Sequence, residues 1–455
     1  MALNDHHKLA GDSLGIGESI IMGTAGAAPA FSLSAGTAAL VASVGSLAPA
    51  SVLYCGLMMF GITLAFIHLN KVNVNAGASY AWVSQIFGRT LGFFTGWTLL
   101  VASAVFMVSG SIPAATATLH LFAPNLASHL GWVTFIAALW ITVIAAVTVK
   151  GIKAASYLQI LMTSIEVVIL IAIIIAGIYQ FMHAPEHAFS LSWFSLSQFT
   201  PSLFASGALT AVFFYWGWDV TLNLNEETKN AKHAPGWGAF WSIVIIIALF
   251  VSFLVVALLV LSDEEMKHSG TNILLAVTDK LFPQPWGYIA VISVIFSTVG
   301  TIETTILQFT RTMFAQSRDG SLNACYAKLH SSWSTPWLAA LFIWFFGIVL
   351  LFLSSFFSTI NRLIIDSVSV ISFQVAFYYS VTGFACAWYY RKMWKNMQEL
   401  CGYILWPTAS AVFLIMVACY SIPTFDKVTL IVGFGGILLG FIPLLLNNKK
   451  LIGDE

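Results

Sequence analysis

The chain has 455 residues, of which 59% are hydrophobic and 8% charged, with nineteen basic side chains against nineteen acidic ones. Soluble domains carry about 25% charged residues, so this composition excludes a water-soluble globule. The even charge balance leaves no basic surface for nucleic acid, and the lipid bilayer is the partner that remains.

The opening stretch, MALNDHHKLAGDS, has no positively charged region followed by a short apolar run and a small-residue cleavage site, so the first apolar segment is expected to stay in the protein. A hydrocarbon core about 30 Å thick needs about 20 apolar residues in helix. Stretches of that kind fall at 15–42, 47–69, 90–120, 129–149, 154–180, 200–224, 236–261, 286–317, 337–355, 362–388, 403–422 and 426–446. This pattern predicts an all-α integral membrane protein of twelve transmembrane helices, one transporter domain over 1–455. The span from Gly236 to Leu261 carries no charge, and no polar interruption is long enough for an appended soluble domain.

Cytoplasmic loops collect Lys and Arg. With twelve spans and both termini inside, fifteen of the nineteen basic residues fall on one side: Lys8, Lys71, Arg89, Lys150, Lys153, Lys229, Lys232, Arg311, Arg318, Lys328, Arg391, Lys392, Lys395, Lys449 and Lys450. Only Lys267, Lys280, Arg362 and Lys427 fall on the other. The asymmetry supports cytoplasmic N- and C-termini in a cell (inner) membrane. Five scattered cysteines, Cys55, Cys325, Cys386, Cys401 and Cys419, lack ligand spacing and read as reduced core residues. Neither metal nor cofactor is expected.

Irregular backbone at membrane depth survives only where it is buried in protein or lines a cavity. Span 1 reads Ile20-Ile21-Met22-Gly23-Thr24-Ala25-Gly26-Ala27-Ala28-Pro29, placing two glycines and a proline roughly 12–21 Å into the span at 1.5 Å per residue. Span 6 reads Phe213-Phe214-Tyr215-Trp216-Gly217-Trp218-Asp219, a glycine among aromatics before a carboxylate. Breaks five spans apart suit an inverted repeat of five plus five. The bland alternative is glycine at helix contacts, as in the Gly92/Gly96 and Gly436/Gly440 pairs.

Five segments in order carry a resemblance: the Gly-Thr-Ala-Gly run of span 1; Asn75 through Trp82; Phe87-Gly88-Arg89 into Gly92-Phe93-Phe94-Thr95-Gly96-Trp97; Glu226-Glu227-Thr228-Lys229-Asn230 leading to Pro235; and Arg311 through Arg318-Asp319-Gly320. Together they resemble the amino acid-polyamine-organocation superfamily. The resemblance implies a LeuT-type fold, with repeats at 15–180 and 200–388, two extra helices at 403–446, and discontinuous helices 1 and 6. It also implies a small-molecule substrate at the midplane, an amino acid or amine, with its carboxylate on free amides of helix 1 and its amino group on helix 6 carbonyls. Half-helix ends suit this, since unpaired N–H groups favour an anion and unpaired C=O groups a cation. By position it assigns Ile21, Thr24, Ala25, Gly26, Ser103, Met107, Phe213, Trp216 and Gly217 to the substrate. The helix 3 pair is anchored only on Gly92, and the run departs from the commoner Gly-Ser-Gly.

Ionisable groups at membrane depth are functional candidates. Glu166 shares a face with Ser156, Gln159 and Thr163 within roughly 80°. It stands where sodium-independent relatives often carry a lysine. It could load a proton, bond the helix 1 backbone, or join a cation site, and transport is expected to be sodium-independent. Asp219 could couple, gate or cap a half-helix. Glu303 lies on the flank of the Ser293, Ser297, Gly300, Thr304, Gln308 stripe, while Arg362 and Asp366 form an i, i+4 pair.

A membrane enzyme would need a nucleophile with its base or a metal cluster, yet the histidines fall mainly in tails and loops (His6, His7, His183, His187, His268, His330). A channel would need filter residues from repeated subunits. The reading is therefore a secondary active permease, monomer or homodimer, that moves an amino acid with protons or by exchange. Ile21, Met107, Phe213 and Trp216 favour a neutral one. Cationic amino acids, amines or polyamines are the alternative, and a non-transporting sensor the remote one.

Overall fold

The structure, a computed structural model, describes residues 8–356 and 360–452, without the side chains of 360, 361 and 447–452. His6, His7 and the ammonium groups of Lys449 and Lys450 lie outside the described residues. No strand forms among those residues; the β-type pairing present is an isolated bridge between Leu14 and Thr228. Helix is what the composition dictates, because it pairs every backbone group within one segment and so tolerates lipid.

In chain order the helices are α1 (Ile16–Gly26), α2 (Pro29–Val44), α3 (Ala48–Val72), α4 (Ser79–Phe87), α5 (Arg89–Phe122), α6 (Leu130–Val149), α7 (Ile152–Phe181), α8 (Pro201–Phe214), α9 (Val220–Asn223) and α10 (Ala234–Val260). There follow α11 (Asp263–Ser269), α12 (Ile273–Leu281), α13 (Ile289–Arg318), α14 (Trp337–Ser354), α15 (Ile360–Tyr389), α16 (Met397–Glu399), α17 (Trp406–Ser421), α18 (Lys427–Leu438) and α19 (Phe441–Ile452). Ten stretches among the described residues are long and apolar enough to cross a membrane. One of them runs for 57 residues from Ile16 to Val72, and Pro201–Phe214 is a shorter apolar helix beside them.

The centre is α5 and α13, each 78% buried along its most apolar stretch. α14 at 28% and the last span at 22% leave most of that stretch outside the protein core, the signature of a lipid-facing rim. Of the cysteines, Cys55 and Cys386 are core residues, whereas Cys325 is half-buried and Cys401 and Cys419 are exposed; all five are free. The expectation of core positions therefore fails for three. The latter two sit on peripheral helices, where an apolar run faces outward.

The two ends of the bundle differ. At one end gather residues 8–15, the α3–α4 loop, the segment after α9 and the end of α13, with most of the basic side chains; this is called the basic end. The opposite end carries α11 and α12. There Lys280 bonds Glu265 at 2.7 Å, and Arg362 bonds Asp426 at 2.9 Å. Arg362 also meets Asp366 at 3.8 Å, so its shorter bond goes to the start of α18 and not along its own helix.

Candidate functional site

α1 stays helical through Gly26, and the break falls on Ala27 and Ala28, two residues beyond the Gly23–Gly26 run expected to carry it. Pro29 explains the shift. It has no N–H, suits the first position of a helix, and pushes the preceding residue out of the right-handed helical region. Ala28 leaves that region for the left-handed one, at φ 47°, and Pro29 starts α2. In the segment read from the sequence as span 6, α8 ends at Phe214, Gly217 takes φ +100°, and α9 begins at Val220. A positive φ of that size selects glycine.

The breaks touch. A Cβ added at Gly26 would overlap the Gly217 carbonyl, and one added at Gly217 would overlap the Gly26 carbonyl. Backbone lies on backbone, and neither position has room for a side chain. Gly23 serves the same purpose lower on α1, packed on Ser242 and Thr221. The Thr301 hydroxyl donates to the Ala25 carbonyl at 2.7 Å, so α13 ties down the C-terminal end of α1.

At the start of α2 the amides expected to stand free are already engaged. Ala30 N–H donates to Glu166 Oε1 at 2.8 Å, Phe31 N–H to Ser297 Oγ at 3.1 Å, and Ser32 N–H to the Ala28 carbonyl at 2.7 Å. Ala27 and Ala28 donate to the carbonyls of Thr24 and Ala25. The carboxylate at this helix N-terminus, where amides and dipole favour an anion, is the protein's own Glu166.

Asp219, fully buried, accepts from Tyr379 Oη at 2.9 Å, Tyr378 Oη at 3.0 Å and Gln308 Nε2 at 2.8 Å. Trp216 Nε1 donates to Tyr378 Oη at 3.0 Å, and Gln308 also reaches Asn223 Oδ1 at 3.2 Å. One network thus joins the broken sixth span to α13 and α15. Above it the rings of Phe31, Phe106, Phe213 and Trp216 form a floor, with centroids 6.2 Å apart for Phe31–Phe106, 6.1 Å for Phe31–Phe213 and 5.4 Å for Phe106–Trp216. Over the floor, toward the opposite end, lies a cavity of about 200 Å³ lined by Phe31, Ser34, Pro113, His120, Asn272 and Val294 among others. None of the nine residues assigned by resemblance lines it.

Those nine part company. Gly26, Gly217, Ala25, Phe213 and Trp216 meet around the breaks. Thr24 bonds back to the Ile20 carbonyl within its own helix. Ile21 is only half-buried and lies about 140° around α1 from Gly26 at 100° per residue. Met107 packs on Gly347 of α14, so Phe106, one residue earlier, is the part of α5 that faces the rings. The Ser103 hydroxyl is buried without a partner. Glu303 lies about 140° around α13 from Gln308, off the axis of the breaks. Phe31, Phe106 and the Tyr378–Tyr379 pair were not among the expected residues. A tyrosine doublet deep in an apolar span was the available signal for the last two.

The basic end is shut. Glu227 and Arg311 are buried and joined by two bonds of 2.9 and 2.8 Å, a fork geometry that strengthens the pair. Glu226 grips Arg318 at 3.0 and 2.8 Å and accepts from Ala76 N–H at 2.8 Å. In the strap before α1, Ser13 N–H and Leu14 N–H donate to the Glu227 carbonyl at 2.8 and 3.1 Å, and Lys229 N–H donates to the Leu14 carbonyl at 2.8 Å.

Comparison with known proteins agrees with this architecture: the family model for amino acid permeases matches residues 19–445, nearly the whole chain. The chain belongs to the amino acid permease family. It is a multi-pass membrane protein, in a family of transporters and not of enzymes. It is similar to the serine/threonine exchanger SteT of Bacillus subtilis (strain 168), 23% identical over 354 residues, covering 76% of this chain and 75% of the exchanger. The large neutral amino acids transporter small subunit 2 of Homo sapiens is 26% identical over 313 residues, 66% of this chain and 56% of that protein. The Asc-type amino acid transporter 1 of Homo sapiens is 23% identical over 285 residues, 60% and 53%. The chain thus spans little more than half the length of the two human relatives.

Proposed function

We propose that the protein is a secondary transporter that moves a neutral amino acid across the cytoplasmic membrane by alternating access, in exchange or with protons. The observation that carries this reading is the backbone contact of Gly26 and Gly217 at the two helix breaks. Two half-helices that meet at the midplane offer amide and carbonyl groups to both ends of a zwitterion once they part. Counting Ile16–Val72 as two spans and Pro201–Asn223 as one gives twelve. The first helix of each half is then broken, as two inverted five-helix repeats over 15–180 and 200–388 would have it, with 403–446 as two additional helices. The basic end is the cytoplasmic one in this reading, and both termini lie there.

A neutral substrate is favoured on two grounds. The relatives' names speak of serine, threonine and large neutral amino acids. The carboxylates that a second amine would need are either saturated, as Asp219 is by three donors, or off the axis, as Glu303 is. An unpaired ammonium buried against the rings would be costly. Transport is independent of sodium in this reading, because Glu166 clamps α2 at the point where relatives often carry a lysine.

Reconstituted protein tests it. Labelled serine or leucine should accumulate in proteoliposomes, resist replacement of sodium by choline, and be displaced by phenylalanine better than by arginine or putrescine. Stronger displacement by the cations would overturn the neutral reading, and a protein that binds but never transports would overturn the carrier.

A further inference from the structure

Between α7 and α13 runs a buried polar seam, of which the site above uses only Glu166 and Ser297. α7 contributes Ser156, Gln159, Thr163 and Glu166, and α13 contributes Ser293, Ser297 and Glu303; all seven are at most 4% exposed. The helices run antiparallel, and two contacts fix their register. Ser297 and Glu166 both bond the first turn of α2, and Leu307 and Ala155 share one buried apolar cluster. Glu303 therefore lies level with Gln159, whose side-chain amide rests on Gly300 and donates to Thr163 Oγ1 at 2.8 Å.

The two glutamates of the seam differ in one respect. Glu166 has the Ala30 amide as a donor to its carboxylate. Glu303 has none: it is fully buried, and neither carboxyl oxygen finds a protein donor, while the Gln159 carbonyl oxygen nearby is also unpaired. Counter-charges are missing too. α6, α14 and α2 carry no ionisable side chain. α7 offers Glu166, with Lys153 and Tyr157 near its basic end and Tyr179 near the other, and α12 offers Asp279 and Lys280 at the opposite end, where Lys280 is held by Glu265. α5 offers Arg89 and His120 near its two ends, and α1 offers Glu18. Arg311 on α13 itself is held by Glu227, and Asp219 faces the other side of the helix. A bare carboxylate in such a place would face a large desolvation cost with nothing to offset it.

We propose that Glu303 is a proton-binding site of the transport cycle, holding the neutral acid while the basic end is shut. It releases its proton to water at that end when the Glu227–Arg311 and Glu226–Arg318 pairs part, while Glu166 keeps its bond to the Ala30 amide of α2. The O–H bond of the carboxyl breaks, the proton goes to water, and the carboxylate keeps the electron pair. This deepens the proton-coupled form of the reading above and rests on it for its place in the cycle.

Infrared spectroscopy of the purified full chain reads the proton directly. A stretch of a protonated carboxyl should be present in the wild type and in Glu166→Gln, lost in Glu303→Gln, and shifted in Glu303→Asp should the glutamine variant not fold. In proteoliposomes holding a pH dye, Glu303→Gln should lose the proton movement that accompanies substrate. A band that survives in Glu303→Gln, or that vanishes in Glu166→Gln instead, overturns the assignment, and so does undiminished proton movement. If no amino acid binds the wild type, the functional reading fails while the infrared comparison still decides Glu303.

Discussion

The two ends of the bundle are closed by different chemistry. At the basic end the closure is polar: two forked carboxylate–arginine pairs, side-chain amides on loop carbonyls, and a backbone strap from residues 13 and 14. Toward the opposite end it is apolar: four rings under a cavity of about 200 Å³. A ring floor opens by rotamer changes of a few side chains. The polar seal opens only if several charged groups lose partners together, which favours an all-or-none change. Between the two closures lies the glycine contact.

Breaking that contact should have the largest effect. Gly26→Leu and Gly217→Ala each force a side chain into the neighbouring carbonyl, and Gly217→Ala adds strain at φ +100°. Both variants should lose ligand-induced thermal stabilisation completely while still being made and inserted. Ligand shifts of wild-type size in either would mean that substrate does not approach the breaks.

Next in size is the polar seal. Arg311→Ala leaves Glu227 buried and unpaired, a change that typically costs about 3–5 kcal/mol. The melting temperature should fall, and a thiol introduced by Ala76→Cys should become reactive from the basic side. A thiol that stays protected would show that the strap and loops seal this end without the pair. The apolar closure should respond more mildly: Phe106→Ala removes a ring contact worth about 0.5–1.5 kcal/mol, up to roughly a tenfold loss of affinity. Met107→Ala should instead lower stability with little change in affinity, because Met107 packs on Gly347. Equal affinity losses for the two would return Met107 to the site.

That last contrast marks where sequence reasoning ends. Apolar length located the helices to within a few residues, since lipid permits only helices there. Glycines and Pro29 announced the broken spans, because backbone conformation is a local property of residue type. Which atoms face the breaks is not local. A helix rotates about 100° per residue, so one residue of error on span 3 exchanges Phe106 for Met107. No sequence pattern told that Ala30 would donate to Glu166, 136 positions away.

The smallest effect separates the two ends by pH. Glu265, in the first turn of α11 at the opposite end, is held down to about 2 from its ordinary 4.5, first by its bond to Lys280 and then by the Ser262 amide. Its carboxyl is well exposed, so solvent screening keeps the stabilisation modest. A folded-state value below the unfolded one means that this contribution is complete above about pH 4.5 and fades as the pH falls toward 2. Glu265→Gln should therefore melt slightly below the wild type at neutral pH, and the gap should close over that acid window. A gap for Glu265→Gln that persists at the acid limit would show that packing of the side chain, and not its charge, holds α11 against α12.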